Sequence, residues 1–366
     1  MAAPLSMLPA AEQSWSVRLG ALARRRPLEI TFGLVLVAAV ALWIYGGVRG
    51  ALTQLAAQNL RTLVTSEVVT LEAWIGEKRL NVQRWAGDPR VVDAASALLA
   101  QAGRSEAELL AACRGAQGAR LVAAIDLLRQ QDVAAAVHLF DRGGRIIASR
   151  DPALCGVVLD ENHRRMLDAG LAGITRFTAT STEAERIGRP GSDGAPKIWI
   201  AAPVTGRDGE VIAVLDVGKP AKERFSKLFE AARLGDTGEA YAFDLGGRML
   251  TESRFTRRLE DSGRLAPGQS SILSLRLTES ESDPDSPRLS RLIGMALAGR
   301  SEGRTNGELL NAYVSYTGDR VVGAWRWLDD YGFGLAVEVS EREVFAPLAR
   351  LDIAFIGLGL LVGVAS

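Results

Sequence analysis

Few side chains in this 366-residue sequence could do chemistry: two histidines, two cysteines, and charged residues set into apolar runs. Arg164 stands in the helical stretch Asn162-His163-Arg164-Arg165-Met166-Leu167-Asp168. Its guanidinium could clamp a carboxylate through two parallel hydrogen bonds; as one of two adjacent arginines it could equally face water. Asp216 ends an apolar strand, Val214-Leu215-Asp216-Val217. A carboxylate there needs a partner, either a ligand amine or a local backbone donor. Trp199, on the preceding strand, would be core or pocket wall. His138 and His163 are not at metal-ligand spacing, which leaves them structural roles. Asp283 and Asp285, in the acidic loop 278–287, supply too few oxygens for calcium. No His-Glu-x-x-His, Gly-x-Ser-x-Gly or Gly-x-x-x-x-Gly-Lys occurs. No catalytic residue, metal or cofactor is therefore expected. Zero net charge without a basic face argues against nucleic acid.

The elements that must position these residues begin with a membrane anchor. Ile30–Val48 reads ITFGLVLVAAVALWIYGGV with no charged residue, close to the roughly 20 apolar residues a spanning helix needs. Arg18, Arg24, Arg25 and Arg26 precede it, which places the N-terminus in the cytoplasm. An uncleaved anchor fits better than a signal peptide, because the run is long and no small-x-small site follows it. A second apolar run starts after Asp352 and stops with the chain at Ser366, too short to cross. A cytoplasmic part beyond it is expected. Cys113 and Cys155 both fall in the segment predicted to lie outside, where a disulfide is permitted; their positions in the sequence do not decide whether they pair.

Between the anchors, Leu60, Val64, Val68, Leu71, Ile75, Val82 and Trp85 recur at helical spacing, predicting a stalk helix over Gly50–Ala86. A second helix, Pro89–Gln101, has Asp88 as N-cap, and a third runs about Glu106–Gln131. Then the pattern changes to short strands and glycine turns. The segment 138–147, HLFDRGGRII, aligns with 241–250, YAFDLGGRML. Each predicts strand, tight turn, strand, because Gly supplies positive φ and Asp bonds its own backbone. Longer hairpins follow at 197–217 and 311–328, a linking helix at Lys222–Ala232, and a last strand at Gly334–Val339. The chain is thus two repeated units, each with a short hairpin, a loop-helix region and a long hairpin.

These features resemble the double Cache sensor domain, two PAS-like modules on a long N-terminal helix in bacterial transmembrane receptors. The stretch Asp236-Thr237-Gly238-Glu239-Ala240-Tyr241-Ala242-Phe243-Asp244 is similar to the opening of many membrane-proximal modules. Thr251–Phe255 and Val322–Trp327 are similar to a subgroup coupled to serine/threonine or histidine kinases. The resemblance implies an α+β fold: a long stalk helix with two tandem antiparallel-sheet modules, flanked by transmembrane helices. The expected organisation is a cytoplasmic tail (1–27), a first membrane helix (28–48), the stalk and helical segment (49–131), a membrane-distal module (132–220), a membrane-proximal module (221–350) and the start of a second membrane helix (351–366). In amino-acid-binding members a helix carries Arg-x-Trp-Tyr and a later strand ends in Asp. Arg164 and Asp216 match that Arg and Asp, while Met166 and Leu167 replace the aromatic pair. The resemblance therefore implies ligand binding by Arg164, Asp216 and Trp199, with an α-amino acid in doubt and another small polar ligand, such as a carboxylate, open.

The function these readings imply is small-molecule sensing outside the inner membrane, relayed through the second membrane helix to a cytoplasmic output domain. The stalk implies a parallel homodimer. The alternatives are the N-terminal part of a transmembrane kinase or cyclase, and a partner-binding ectodomain without a small ligand.

Overall fold

The computed structural model describes residues 11–102, 105–128, 132–159, 164–188, 194–230, 235–280 and 287–349, together with 351, 353 and 357. His163, Asp283, Asp285 and nearly all of the second apolar run lie outside the described residues. So do the side chains of several residues of the first run. Among the described residues no helix is long and apolar enough to cross a membrane.

Helix α1 runs Ala11–Ala86. Two compact units divide the chain: residues 1–56 with 342–366, and residues 57–341. In the larger unit the stalk part of α1 buries the expected stripe, with Leu60, Val64, Val68, Leu71, Ile75, Val82 and Trp85 all shielded from water. Helix α2 (Pro89–Ala102) starts as predicted, the Asp88 carboxylate accepting the Arg90 amide at 2.9 Å. The predicted third helix is two, α3 (Glu106–Arg114) and α4 (Ala116–Leu128). The break falls at Gly115, whose backbone is extended. It lets the chain fold back so tightly that a Cβ on Gly118 would sit 1.9 Å from the Cys113 carbonyl oxygen. Cys113 and Cys155 are disulfide-bonded, with Cα atoms 6.0 Å apart.

The first sheet, all antiparallel, has the order β2-β1-β5-β4-β3. It comprises β1 (Ala136–Phe140), β2 (Ile146–Ser149), β3 (Arg176–Ser181), β4 (Lys197–Thr205) and β5 (Val211–Pro220). Helix α5 (Arg164–Leu171) lies between β2 and β3 in the chain and packs on β4 and β5; a single helical turn, α6 (Glu183–Ile187), lies between β3 and β4. Their apolar faces close a core of Phe140, Ile146, Leu154, Met166, Leu167, Ile187 and Val214. A π-helical turn, Ala221–Phe225, and α7 (Ser226–Glu230) form the link to the second sheet module.

The second sheet, β6-β9-β8-β7, comprises β6 (Glu239–Phe243), β7 (Asn306–Val314), β8 (Arg320–Leu328) and β9 (Phe333–Ser340). Helices α8 (Thr256–Asp261) and α9 (Arg291–Ser301) accompany it, and α10 (Glu341–Val344) follows β9. The duplicated turns are built alike. Asp141 accepts the Arg145 amide at 2.9 Å and Asp244 the Arg248 amide at 2.8 Å, with Gly144 at φ 81° and Gly247 at φ 71°. The second hairpin differs in one respect: its returning arm is a single bridge, Phe243 to Met249, rather than a strand. In both, the returning arm bonds a following loop: the Ile146 amide the Val157 carbonyl at 2.8 Å, and the Met249 amide the Leu275 carbonyl at 2.9 Å.

Candidate functional site

Strand register brings the first module's chemistry into one row. His138 on β1 pairs with Asp216 on β5, Asp216 with Ala201 on β4, and Ala201 with Arg176 on β3. Residues directly opposite in an antiparallel pair share a face, so these four stand on the same side. The adjoining row is Gly218, Trp199 and Thr178. Gly218 makes room for the indole: a Cβ there would lie 2.8 Å from a Trp199 ring carbon.

Helix α6 inserts two charged side chains into this row. Its start is fixed by a capping box, Thr182 accepting the Glu185 amide while Glu185 accepts the Thr182 amide. Gly188, left-handed at φ 68°, ends it. Thus held, Arg186 donates Nε to Asp216 Oδ2 at 3.0 Å and Nη2 to Oδ1 at 2.9 Å. Its third nitrogen donates to Thr178 Oγ1 at 3.2 Å, and its guanidinium lies 5.6 Å from the Trp199 ring centre. Asp216 is fully shielded and the Arg186 side chain only 7% exposed. Planar bidentate pairing is the strongest arrangement open to these groups. One turn back on α6, Glu183 Oε1 lies 2.9 Å from His138 Nε2. His138 Nδ1 contacts Ser149 Oγ at 3.2 Å, and the ring stacks on Trp199 at 5.7 Å.

A cavity of about 250 Å³ opens above the Arg186–Asp216 pair, lined by Arg165, Arg176, Thr178, Ser181, Glu185 and Arg186 among others. Glu185 faces it as an ionised carboxylate. Burial would raise its carboxyl, but the Arg248 guanidinium at 2.7 Å and the Thr182 amide outweigh burial and hold it below the usual range. The cavity therefore presents three guanidinium groups, two hydroxyls and the Glu185 carboxylate, which Arg248 pairs. With Glu185 paired by Arg248 and Asp216 by Arg186, guanidinium groups are in excess, a set whose chemistry suits a small anion with oxygen acceptors.

Of the residues singled out in the sequence, Asp216 forms the floor beneath Arg186, Trp199 is fully buried between His138 and Arg186, and Arg164 is the first residue of α5, half-buried beside Arg165. The partner of Asp216 is neither a ligand amine nor a backbone donor but a side chain. Arg186, Glu183, Arg176 and Arg165 were not legible as site residues. The one signal pointing to them was the need of a buried Asp216 for a counter-charge.

Two antiparallel-sheet modules in tandem on one long helix, each opened by the same Asp-x-Gly-Gly-Arg hairpin, define the tandem PAS-like class. The chain belongs to the double Cache family: the family described as "Cache domain" matches residues 48–348. Among solved structures it is similar to the sensor domain of the Vibrio cholerae histidine kinase DctB (15% identity, 80% of this chain and 98% of that one, TM-score 0.43). It is also similar to the ligand-binding domain of the Pseudomonas aeruginosa amino acid chemoreceptor PctB with L-Arg (13% identity, 84% and 98%, TM-score 0.43). The Campylobacter jejuni chemoreceptor Tlp3 domain with L-norvaline is a third (14% identity, 80% and 94%, TM-score 0.46). No curated protein matches the chain.

Proposed function

We propose that this chain is the sensing region of a bacterial transmembrane receptor, and that its distal module binds a small carboxylate in the cavity of Arg165, Arg176 and Arg186. The observation that carries this reading is the engagement of Asp216 by Arg186, bidentate and buried. Asp216 is neutralised by Arg186 and the cavity's Glu185 by Arg248, while the guanidinium groups of Arg165 and Arg176 line the same space. Arg164, next to Arg165 at the start of α5, is not among the residues that line this cavity. Asp216 acts through Arg186, holding its fork in place, and Trp199 backs both.

The relay would run through α6. Its Arg186 reaches the site, and its Glu185 pairs with Arg248 in the hairpin that opens the proximal module. A ligand that draws on Arg186 changes the footing of both ends of one helical turn. Any such shift is limited to the difference in ligand affinity between the two arrangements.

The test is thermal unfolding of the full chain in detergent against a panel of mono-, di- and tricarboxylates, amino acids and amines. A carboxylate at 100 times its Kd should add about 2.7 kcal/mol of stability. Arg165→Ala with Arg176→Ala should abolish that response and leave the unliganded midpoint nearly unchanged, since both side chains are exposed. Stabilisation by amines alone, or a carboxylate response that survives both substitutions, would remove the proposed site.

The reading places Ile30–Val48 across the inner membrane, the run after Asp352 as a second crossing, and the modules outside. It also makes the receptor a parallel homodimer along α1, where Val69 and Leu80 are 61% and 53% exposed. Ala73 and Gly76 lie between them at steps of four and three residues, the spacing of a coiled-coil seam. Val69→Glu with Leu80→Glu should convert the detergent-solubilised chain to monomers in sedimentation, whereas a monomeric wild type would defeat the dimer.

A further inference from the structure

The proximal module contains a buried group that ligand sensing in the distal module does not use. Glu239 on β6 and Glu338 on β9 are cross-strand partners, 5% and 4% exposed. Their side chains share a face, a few Å apart. Tyr313 on β7 donates to Glu338 Oε1 at 2.6 Å. Tyr316 donates to Glu239 Oε2, and Ser253 and the Arg254 amide donate to its Oε1 at 3.1 and 2.8 Å. The sheet is shaped for the arrangement. Gly323 on β8, opposite Glu338, would place a Cβ 2.7 Å from the Tyr313 hydroxyl and 3.1 Å from Glu338 Cγ.

No Lys or Arg side chain donates to either carboxylate among the described residues. The Arg254 guanidinium bonds the Gly238 and Asp236 carbonyls and acts on Glu239 only at longer range. Asp319, at the edge of a cavity of about 20 Å³ between Glu239, Tyr316 and Glu338, is paired with Arg258. Tyr241, fully buried on β6, has a hydroxyl that makes no hydrogen bond of full geometry, yet it lies close enough to help hold the Glu338 carboxyl down. Two like charges facing each other in a dry place cannot both persist cheaply.

We propose that the membrane-proximal module carries a second input, external pH, read by a proton that Glu239 and Glu338 share across the β6–β9 pair. The proton resides on Glu338, where it relieves that carboxyl's repulsion with the Glu239 charge across the strand pair. When it leaves, two carboxylates face each other across the strand pair, and the β6–β9 ladder is where the repulsion falls. Strand β9 continues directly into α10, so this ladder is also where the module hands its state to the chain that follows.

Burial pushes the Glu338 carboxyl up to about 7 against the Tyr313 hydrogen bond, and the Glu239 charge adds to the rise. Glu239 itself is raised by burial, with Tyr316, the Arg254 amide and Ser253 opposing. The sign follows. An unfolded glutamate titrates near ~4.3, so between there and about 7 the folded chain holds the extra proton. Stability contributed by that proton is complete below the unfolded value and is lost as pH rises through the folded one.

The experiment is thermal unfolding and amide hydrogen exchange of the full chain in detergent from about pH 5 to about pH 8. The wild type should lose midpoint temperature from about pH 5 up to about pH 7 and level off above it. Protection of β6 and β9, corrected for intrinsic exchange, should fall with it. Glu338→Gln, locked neutral, should flatten both profiles. Tyr313→Phe removes a bond to the charged form and should move the transition to higher pH, a displacement that a merely structural tyrosine would not cause. Where Glu338→Gln does not fold, Glu239→Gln carries the same test. A flat wild-type profile, or one unchanged in Glu239→Gln and Tyr313→Phe, overturns the proposal. These outcomes are independent of whether any carboxylate binds the distal module.

Discussion

Replacing Asp216 by alanine should cost the protein about 3–5 kcal/mol and lower its urea midpoint accordingly. The substitution removes only a few atoms of packing, but it leaves the buried Arg186 guanidinium, among the described residues, with Thr178 as its one remaining hydrogen-bond acceptor. Uncompensated buried charge, rather than the lost contact, sets the magnitude. That account makes a sharper claim about the double variant. Asp216→Leu with Arg186→Met replaces the pair by apolar groups of similar volume and should recover most of the loss, because neither charge then needs a partner. Equilibrium unfolding of the four chains in one cycle measures the coupling directly. A double variant as unstable as Asp216→Ala alone would show that the pair is not the source of the effect. The same chains bear on the site. With Asp216 gone, α6 loses its anchor in the sheet, so the α6 amides should exchange faster even at temperatures where the rest of the module stays folded.

The sequence made the scaffold legible and half of the site. Period-3.6 burial in α1 and the Asp-x-Gly-Gly-Arg duplication depend on local rules, glycine at positive φ and an Asp bonding the next amides, and both appear as read. Local rules also account for the miss at α3 and α4, where an apolar helical pattern hid the break at Gly115, whose importance lies in the close approach at Gly118. Asp216 was visible because a carboxylate in an apolar strand is anomalous. Arg186 was not, since Glu183-Ala184-Glu185-Arg186-Ile187 reads as an ordinary solvated turn, and only the sheet register shows which charges it buries. Glu338 had the same kind of signal as Asp216, a carboxylate inside Phe333–Ser340. Its partner Glu239 required knowing that the last strand pairs with the first of the second sheet. Pairings distant in sequence are what a single chain read alone does not display.

The disulfide joins the fold to the compartment, and its loss should be nearly as costly as that of the Asp216 pair. Cys113 and Cys155 are 42 residues apart, and closing a loop of that length restricts the unfolded chain by about 4 kcal/mol in the chain-entropy account. Both sulfurs are buried, and the bond ties α3 to the turn that follows Pro152–Leu154, so α3 and α4 are held against β2. Cys113→Ala with Cys155→Ala, or reduction of the wild type, should therefore lower the unfolding midpoint sharply. At temperatures where the chain remains folded, carboxylate affinity should be unaffected, since α5, α6 and β3 line the cavity and none of them carries the bond. Such a bond persists only where thiols are oxidised, which makes it a test of topology as well as stability. In chain extracted from membranes without reductant, a maleimide should label neither cysteine under denaturing conditions, and should label both after reduction. Two reactive thiols in the native protein would place this region in a reducing compartment and would undo both the stabilisation argued here and the outward placement of the modules.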